Sequence, residues 1–311
     1  MSVLITGFRG LVGGRLFELQ PDCFGLEMSS DEVFITTPRQ EILKITPTPN
    51  NLKNFLAENG ITAVIHLGAI TSTLEKDESK FKRWNIDFSN NLLIACVETD
   101  TKFIFASSQA VYGHSWNLSE DISLEPPRNL YAKSKYETEN LLNEILSSGV
   151  KSQTLVALRL SNVYGKNEAH KKLMASTIFQ FWAAAMCATP LNIFYTIDKP
   201  KGAQSRDFIS VDQVAHVINL ILSADEPVVG IYNLGSGTAI NFLELAEAII
   251  DIAKSPSKIE FIKMPEELIQ NYQWLTKANI TKLQSRLNWE LVGDFKSEIR
   301  NIYGGSRNGI N

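Results

Sequence analysis

A tyrosine and a lysine four residues apart, Tyr131 and Lys135, form the first pair in this sequence that could do chemistry. The run 130–145 holds no Gly or Pro and predicts a helix, on which residues i and i+4 share one face. A phenol titrates near about 10, and an ammonium group one turn away favours the phenolate. We therefore expect Lys135 to lower the pKa of Tyr131, so that the pair moves a proton to or from a hydroxyl near neutral pH.

Three glycines near the amino terminus predict a phosphate-binding turn. An apolar strand at residues 3–5 precedes them, and a helical pattern at 11–19 follows. Glycine permits the tight turn and the close approach of backbone, while the amino end of the helix attracts a pyrophosphate. This order of strand, turn and helix predicts a dinucleotide site formed by Gly7, Phe8, Arg9, Gly10, Leu11, Val12 and Gly13.

Two residues compete for the adenosine ribose of such a dinucleotide. Glu27 lies about 20 positions after the turn, the spacing of the acidic residue that binds the ribose of NAD. Residues 33–36 are the better strand, however, and they lead to Arg39, which could face the 2′-phosphate of NADP. Glu27 favours NAD and Arg39 favours NADP, and the sequence leaves this choice open.

Apolar strands alternate with helices through the first 165 residues, which predicts an α/β fold with a parallel, doubly wound sheet. In such sheets the ligand lies beyond the carboxyl ends of the strands. His66 lies inside a buried run, so we expect a core histidine that is bonded to backbone. Polar clusters fall at the strand ends and predict one site there: 7–13, Gly68-Ala69, Ser107-Ser108 and Asn162.

The remaining chain, 166–311, predicts a smaller mixed lobe that caps the sheet edge and binds substrate. A segment near 206–235 is expected to return to the dinucleotide domain, which spans 1–165. An apolar helix at 175–188 is expected to pack in the core or in a dimer, and no repeat or flexible linker separates the lobes.

Composition excludes several classes of function. The chain has 311 residues and a net charge of −4, so no basic surface predicts nucleic acid or an anionic membrane as a partner. Three cysteines lie far apart and no Cys/His cluster has metal-ligand spacing, which predicts packing roles in a reducing compartment and no metal. Neither a signal peptide nor an apolar run of membrane length is evident, so we expect a cytoplasmic protein.

Five motifs in one order resemble the extended short-chain dehydrogenases/reductases, a family of nucleotide-sugar epimerases, dehydratases and reductases with a Rossmann-type fold. The resemblance implies that Ser108 hydrogen-bonds the reacting oxygen, Tyr131 is the general acid/base and Lys135 binds the nicotinamide ribose of NAD or NADP. Leu67, Gly68, Ala69, Asn85 and Ser107 are further cofactor contacts on this basis. The motifs are Thr6-Gly7-x-x-Gly10-x-x-Gly13, His66-Leu67-Gly68-Ala69, Ser107-Ser108-x-x-Val111-Tyr112-Gly113, Tyr131-x-x-x-Lys135 and Arg206-Asp207-Phe208.

Longer stretches, at 68–75, 168–176 and 271–280, are similar to the ADP-glyceromanno-heptose 6-epimerases. That similarity implies a second base at Lys171. It also implies contacts with the sugar nucleotide by Ser72, Ser108, Asn162, His170, Lys171, Arg206 and Tyr272. Residues 20–46 do not match that group, so its NADP preference does not carry over. Arg9 also departs from the family, which usually has a small residue there.

The resemblance implies an epimerase mechanism. Tyr131 would take a proton from a sugar hydroxyl as hydride leaves for the nicotinamide, Ser108 would donate to the oxygen, and Lys171 would supply a proton on the other face. The interface of an implied homodimer would use the helix at 81–97 and the Tyr131 helix.

Three rival functions stay open. A 4,6-dehydratase would place an Asp-Glu pair where this chain has Gln109-Ala110. A 4-ketosugar reductase is faintly suggested by residues 33–46 and would consume NADPH. A non-catalytic dinucleotide-binding protein would usually have lost the tyrosine or the lysine.

Overall fold

The computed structural model describes residues 1–29, 32–72, 75–113, 115, 118–120, 127–269 and 272–304. Residues 73, 74 and 271, which carry part of the resemblance, lie outside them. The main sheet has eight strands in the order β11-β7-β6-β5-β1-β2-β3-β4. Its strands are β1 (Val3–Thr6), β2 (Phe24–Ser29), β3 (Glu32–Thr36), β4 (Ile42–Ile45), β5 (Ala63–His66), β6 (Lys102–Ser108), β7 (Leu155–Leu160) and β11 (Val229–Leu234).

The six strands from β11 to β2 are parallel, whereas β3 pairs antiparallel with β2, and the edge strand β4 pairs antiparallel with β3. The expected α/β fold with a doubly wound, mainly parallel sheet is confirmed, but residues 24–45 form antiparallel pairs without the intervening helices that the alternation predicted. The physical reason is the length of the connections, because a parallel crossover needs a dozen or more residues and an antiparallel pair needs only a turn. The edge is also partly solvated, since Ile42 and Leu43 of β4 are exposed.

Helices cover both faces of the sheet, as the apolar strands require. One core packs beneath α1, α7 and α10, and the other packs beneath α2, α4 and α5. The helices of this part are α1 (Leu11–Leu19), α2 (Pro49–Glu58), α3 (Glu78–Lys80), α4 (Phe88–Glu98), α5 (Leu130–Ser147), α7 (Val211–Ser223) and α10 (Thr281–Leu287).

The helix that contains α3 and α4 has an unusual middle. Residues Phe81–Asp87 between them form a π-helix, so the three segments run on as one helix with a widened part. Widened turns of this kind occur frequently at functional sites. None of the described helices is both long enough and apolar enough to span a membrane.

A third core holds the second lobe together. It packs α6, α8 and α11 against two small sheets, with orders β12-β10-β8 and β13-β9. The chain returns from this lobe through α7 to β11, which completes the main sheet beside β7. The elements are β8 (Asn162–Tyr164), α6 (Thr177–Met186), β9 (Leu191–Tyr195), β10 (Ser205–Ser210), β12 (Ala239–Asn241), α8 (Phe242–Ala253), β13 (Ile259–Lys263), α9 (Glu266–Ile269) and α11 (Phe295–Tyr303).

Candidate active site

The glycine turn after β1 is shaped to admit a ligand at the start of α1. Gly7 has a φ of 66°, and a Cβ there would lie 2.8 Å from the backbone of Gly68. A Cβ on Gly13 would lie 2.2 Å from the carbonyl oxygen of Gly7. The N-cap residue, Gly10, has no side chain to cap the helix. The first N–H groups of α1 are therefore left for water or for an anion such as a pyrophosphate.

Glu27, and not Arg39, stands beside this turn. Glu27 lies on β2, and its Oε1 accepts a hydrogen bond of 2.7 Å from the backbone N–H of Arg9. Burial raises the pKa of Glu27. Arg39 lies in the turn between β3 and β4, where it is exposed and away from the cavity described below. Of the two residues that competed for the adenosine ribose, only Glu27 lines that cavity.

His66 fixes the loop that follows β5. Its Nδ1 bonds the Thr6 hydroxyl at 2.7 Å, and its Nε2 bonds the Ser89 hydroxyl at 2.7 Å. The Thr6 oxygen also accepts the N–H groups of Leu67 and Gly68. Burial lowers the pKa of His66 to about 3, with a smaller contribution from the charge of Lys135. The expected core histidine is confirmed, although its partners are side chains and not backbone.

Ser108, Tyr131 and Lys135 meet at the carboxyl end of β6. Ser108 is the last residue of β6, and the hydroxyl groups of Ser108 and Tyr131 are hydrogen-bonded. The Nζ of Lys135 lies 4.6 Å from the centre of the Phe105 ring and 5.9 Å from that of Tyr131. Asn129 caps the helix that carries the pair, because its Oδ1 accepts the N–H of Ala132. The two motifs thus converge as the sequence predicted.

The pKa of Tyr131 moves in the opposite direction to the expectation. Burial raises it, and only the hydrogen bond from Ser108 opposes this. Burial also lowers the pKa of Lys135 to about 7. Desolvation disfavours the charged form of each group, and here it outweighs the mutual attraction that the sequence argument considered alone.

Two predicted cofactor contacts use their polar atoms inside the protein. The amide nitrogen of Asn85 donates to the carbonyl of Ile70 and to the Ser134 hydroxyl, and its oxygen accepts the N–H of Ile70. The Ser107 hydroxyl donates to Glu139 at 2.5 Å. The Asn85 amide therefore ties the loop after β5 to helix α5, and its expected contact with the cofactor stays a prediction.

Lys171 reaches the cavity from the second lobe. It lies in a 3₁₀ helix, Ala169–Met174, and its Nζ is 3.8 Å from the Oε2 of Glu168. Glu168 is fully buried and accepts three more hydrogen bonds, from the N–H of Gly165 and from the N–H and hydroxyl of Ser176. This carboxylate fixes the loop that carries His170 and Lys171.

Four residues predicted to bind substrate do not line the cavity. Asn162 donates its amide to the carbonyl of Asp207, and Ser72 is half-buried just past the cavity wall. Arg206 is near Tyr272, with its guanidinium 5.0 Å from that ring. Those two form a pair on the second lobe, so the structure groups them without bringing them to the cavity.

One cavity of about 940 Å³ joins the glycine turn to these side chains. Its wall also contains Lys80, Arg83 and Ser161, which were not predicted from the sequence. No sequence pattern indicated Lys80 and Arg83, because the π-helix places them at the wall. Phe8, Arg9 and Asn85 do not line it. The predicted residues that line it are Gly7, Gly10, Leu11, Val12, Gly13, Glu27, Leu67, Gly68, Ala69, Ser107, Ser108, Tyr131, Lys135, His170 and Lys171.

The described part of the chain has no grouped set of metal ligands. Within the described ranges, no three His, Cys, Asp or Glu side chains are grouped as a metal site. All three cysteines are free, with Cys23 and Cys96 buried and Cys187 exposed.

Solved structures of sugar-nucleotide enzymes share this fold. A UDP-N-acetylglucosamine 4-epimerase from Methanobrevibacter ruminantium, in complex with UDP-N-acetylmuramic acid, matches with a TM-score of 0.79 and 27% identity, covering 97% of this chain and 96% of that one. The ADP-L-glycero-D-manno-heptose-6-epimerase of Helicobacter pylori matches with a TM-score of 0.76 at 24% identity, covering 97% and 94%.

The structural matches show the fold, and the sequence matches show the family. Residues 3–235 match the NAD dependent epimerase/dehydratase family. An ADP-L-glycero-D-manno-heptose-6-epimerase from Brachyspira hyodysenteriae is 35% identical over 237 residues, which cover 75% of this chain and 72% of that protein. The family match spans the glycine turn, the Ser108, Tyr131 and Lys135 group and Lys171. The chain therefore belongs to the NAD dependent epimerase/dehydratase family.

Proposed function

We propose that this protein is a nucleotide-sugar epimerase that oxidises one carbon of the sugar transiently to a ketone and then reduces it, with an ADP-heptose as substrate. The observation that carries the proposal is the shared cavity, which Ser108 lines from β6, Tyr131 and Lys135 line from α5, and Lys171 lines from the second lobe. The choice of sugar is supported by the Brachyspira relative, which is named as an ADP-heptose epimerase.

The residues at the glycine turn fit NAD as cofactor. The uncapped start of α1 suits a pyrophosphate, and a Cβ at Gly13 would collide with the Gly7 backbone that forms this turn. Glu27 suits the two hydroxyls of an adenosine ribose and would repel the 2′-phosphate of NADP. When bound, NAD supplies a hydride acceptor that returns the hydride to the same carbon.

Tyr131 would serve as the proton acceptor in the oxidation half of the reaction. Its hydroxyl is already bonded to that of Ser108, so the two side chains present one oxygen site for the reacting hydroxyl. Burial disfavours the phenolate, so Tyr131 has to release its own proton to solvent before it accepts one from the sugar hydroxyl, and the ammonium form of Lys135 stabilises that phenolate. Ser108 donates to the oxygen of the ketone as charge develops there.

Inversion requires a second proton site, and Lys171 is our candidate. After oxidation, the planar ketone has to present its other face, where Tyr131 does not reach. Lys171 is partly exposed and held by the buried Glu168 at 3.8 Å, so its ammonium group is fixed at the cavity wall. It would donate the proton on that face, and Tyr131 would return its own proton when the direction is reversed.

Two single variants with matched controls test this scheme. Turnover of ADP-D-glycero-D-manno-heptose to its epimer should fall about 10²- to 10⁴-fold in Tyr131→Phe and in Lys171→Ala, because each removes one acid/base group. Tyr136→Phe on the same helix and Lys172→Ala at the exposed neighbouring lysine should keep it. The epimer ratio is read by NMR. Full turnover in both Tyr131→Phe and Lys171→Ala contradicts the two-base scheme.

Cofactor stoichiometry separates the rival functions. An epimerase recycles its NAD, so absorbance at the reduced-nicotinamide band stays constant while product forms. A ketosugar reductase would oxidise one reduced cofactor per product, and a 4,6-dehydratase would release water and leave a stable keto-sugar. A protein with no turnover on any such sugar would be a binding protein.

We also propose a cytoplasmic homodimer. Three free thiols fit a reducing compartment. Half-buried apolar residues such as Leu141 and Ile145 on α5, with Ile94 on α4, lie on the two helices expected at the interface. Analytical ultracentrifugation of the purified chain gives the oligomeric state, and a monomer at micromolar concentration contradicts the dimer.

A further inference from the structure

A buried carboxylate lies one helical turn beyond Lys135 and has no part in the mechanism above. Glu139 is 1% exposed, four residues after Lys135 on α5, and so faces the same side of the helix. A buried charge costs free energy unless it is paired and hydrogen-bonded. Its retention so close to a proposed catalytic lysine therefore needs a physical reason.

Three bonds from a single guanidinium group, and a fourth from a serine, hold this carboxylate. The Nε of Arg159 lies 3.0 and 3.2 Å from its two oxygens, and an Nη lies 2.7 Å from one of them. The Ser107 hydroxyl donates to the other side at 2.5 Å. Arg159 in turn stacks over Tyr112, with 4.7 Å from its guanidinium carbon to the ring centre. Glu139 is thus held in one position by its ion pair with Arg159.

The groups around Lys135 leave Glu139 as its source of negative charge. From β5 comes His66, which is neutral because burial lowers its pKa to about 3. From α5 itself comes Tyr131, whose raised pKa keeps the phenol uncharged. From β7 comes Arg159, which is engaged with Glu139. No direct ion pair joins Lys135 to Glu139 among the described residues, so the attraction acts through space and raises the pKa of Lys135 against burial.

We propose that Glu139 is a positioning residue whose fixed negative charge keeps Lys135 in the ammonium form required by Tyr131. Arg159 and Ser107 fix that charge in place. The proposal rests on the role of Lys135 given above. It assigns this buried ion pair a second role besides bracing α5 against β7.

A purely structural role of the Glu139–Arg159 ion pair and an electrostatic role of Glu139 on Lys135 predict different behaviour. If the ion pair is only structural, its loss lowers stability, and it lowers activity by the same factor at every pH. Loss of a charge moves the pH at which Lys135 gives up its proton, because an opposite charge within a few ångströms shifts a pKa by about 1 to 3 units. The position of that titration is therefore the decisive measurement.

Competitive acetylation measures the titration without any turnover. Trace acetic anhydride reacts only with neutral amines, and mass spectrometry reports the fraction acetylated at Lys135 across a pH series. In Glu139→Gln we expect the half-reactive pH to fall by at least about 1 unit, whereas Glu139→Asp keeps the charge and stays near the wild type. An unchanged half-reactive pH in folded Glu139→Gln overturns the proposal.

A double variant covers the case in which Glu139→Gln does not fold. Leaving Arg159 unpaired in the core is strongly destabilising, whereas replacing both charges removes that penalty. In Glu139→Gln/Arg159→Gln we expect the half-reactive pH of Lys135 to fall in the same direction but less far, since a cation is removed along with the carboxylate. No fall in this variant also overturns the proposal.

The pH dependence of kcat/KM on ADP-D-glycero-D-manno-heptose connects the charge to catalysis. A lower pKa of Lys135 removes the ammonium at lower pH, so the alkaline limb should move down in Glu139→Gln and stay in Glu139→Asp. A wild type without turnover contradicts the proposed function, but leaves the acetylation result to decide the role of Glu139. If Glu139→Gln turns over substrate and the alkaline limb of its pH profile does not move, the role proposed for Glu139 is contradicted and the proposed function is not.

Discussion

Lys135→Met should make this protein more stable while it abolishes catalysis. Lys135 is 3% exposed, and burial lowers its pKa to about 7, whereas an unfolded chain titrates lysine near about 10.4. Between these values the unfolded chain binds a proton that the folded chain does not. The stability of the wild type therefore rises with pH across this window and is lowest below it. Methionine has a similar length and carries no charge, so it avoids the burial cost.

The magnitude follows from the two pKa values. A difference of about 3.4 units corresponds to about 4 kcal/mol of lost stability near pH 7, which falls to about 2 kcal/mol near pH 9 and to nearly zero above about pH 10.5. Substitution also removes the contact of the ammonium with the Phe105 ring, at 4.6 Å, which is worth about 1 kcal/mol. We expect a net gain of about 3 kcal/mol near pH 7.

Calorimetric unfolding of cofactor-free protein at a series of pH values is the assay, because bound cofactor would add stability of its own. Lys133→Met is the matched control, since Lys133 is exposed two residues earlier on the same helix. The Tm of Lys135→Met should exceed that of the wild type near neutral pH, and the gap should close as the pH rises. A gap that stays constant with pH, or a variant that is less stable throughout, refutes the burial argument.

Two further predictions concern the dinucleotide site. Gly13→Ala should weaken NAD binding more than about tenfold in isothermal titration, because its Cβ would meet Gly7 at 2.2 Å and Phe8 at 2.7 Å. Gly14→Ala, with its nearest atom at 3.6 Å, should bind normally, and equal loss in both variants contradicts the argument. Glu27→Gln should weaken NAD about tenfold and NADP less, since a charge-assisted hydrogen bond is lost while a repulsion is relieved. Parallel loss of both affinities would show that Glu27 does not discriminate between them.

The convergence of the site was predictable from the sequence because it depends on two general rules of protein geometry. Helical spacing places Tyr131 and Lys135 on one face, and parallel strands place Gly7 and Ser108 at one edge of the sheet. Neither placement depends on how the side chains pack. The distance of Glu27 along the chain from the glycine turn made it a candidate, but the sequence alone did not decide between Glu27 and Arg39.

Other features depend on packing and were not recoverable. The pKa of Tyr131 is set by how deeply α5 buries it, which no local pattern reports. The amide of Asn85 is hydrogen-bonded to Ile70 and Ser134, which lie 15 and 49 residues away in the sequence. The pairing of Glu139 with Arg159 joins a helix to a strand 20 residues later, and both residues are of types that normally predict surface.

The number of residues in the π-helix at Phe81–Asp87 determines which side chains line the cavity. An α-helix advances about 100° per residue, so deleting one residue from this stretch would change the angular phase of everything upstream relative to α4 by that amount. Lys80 and Arg83 would then rotate off the cavity wall, and Asn85 would lose its bridge to α5. A substitution in this stretch changes one side chain, whereas a change in its length alters the cavity wall as a whole.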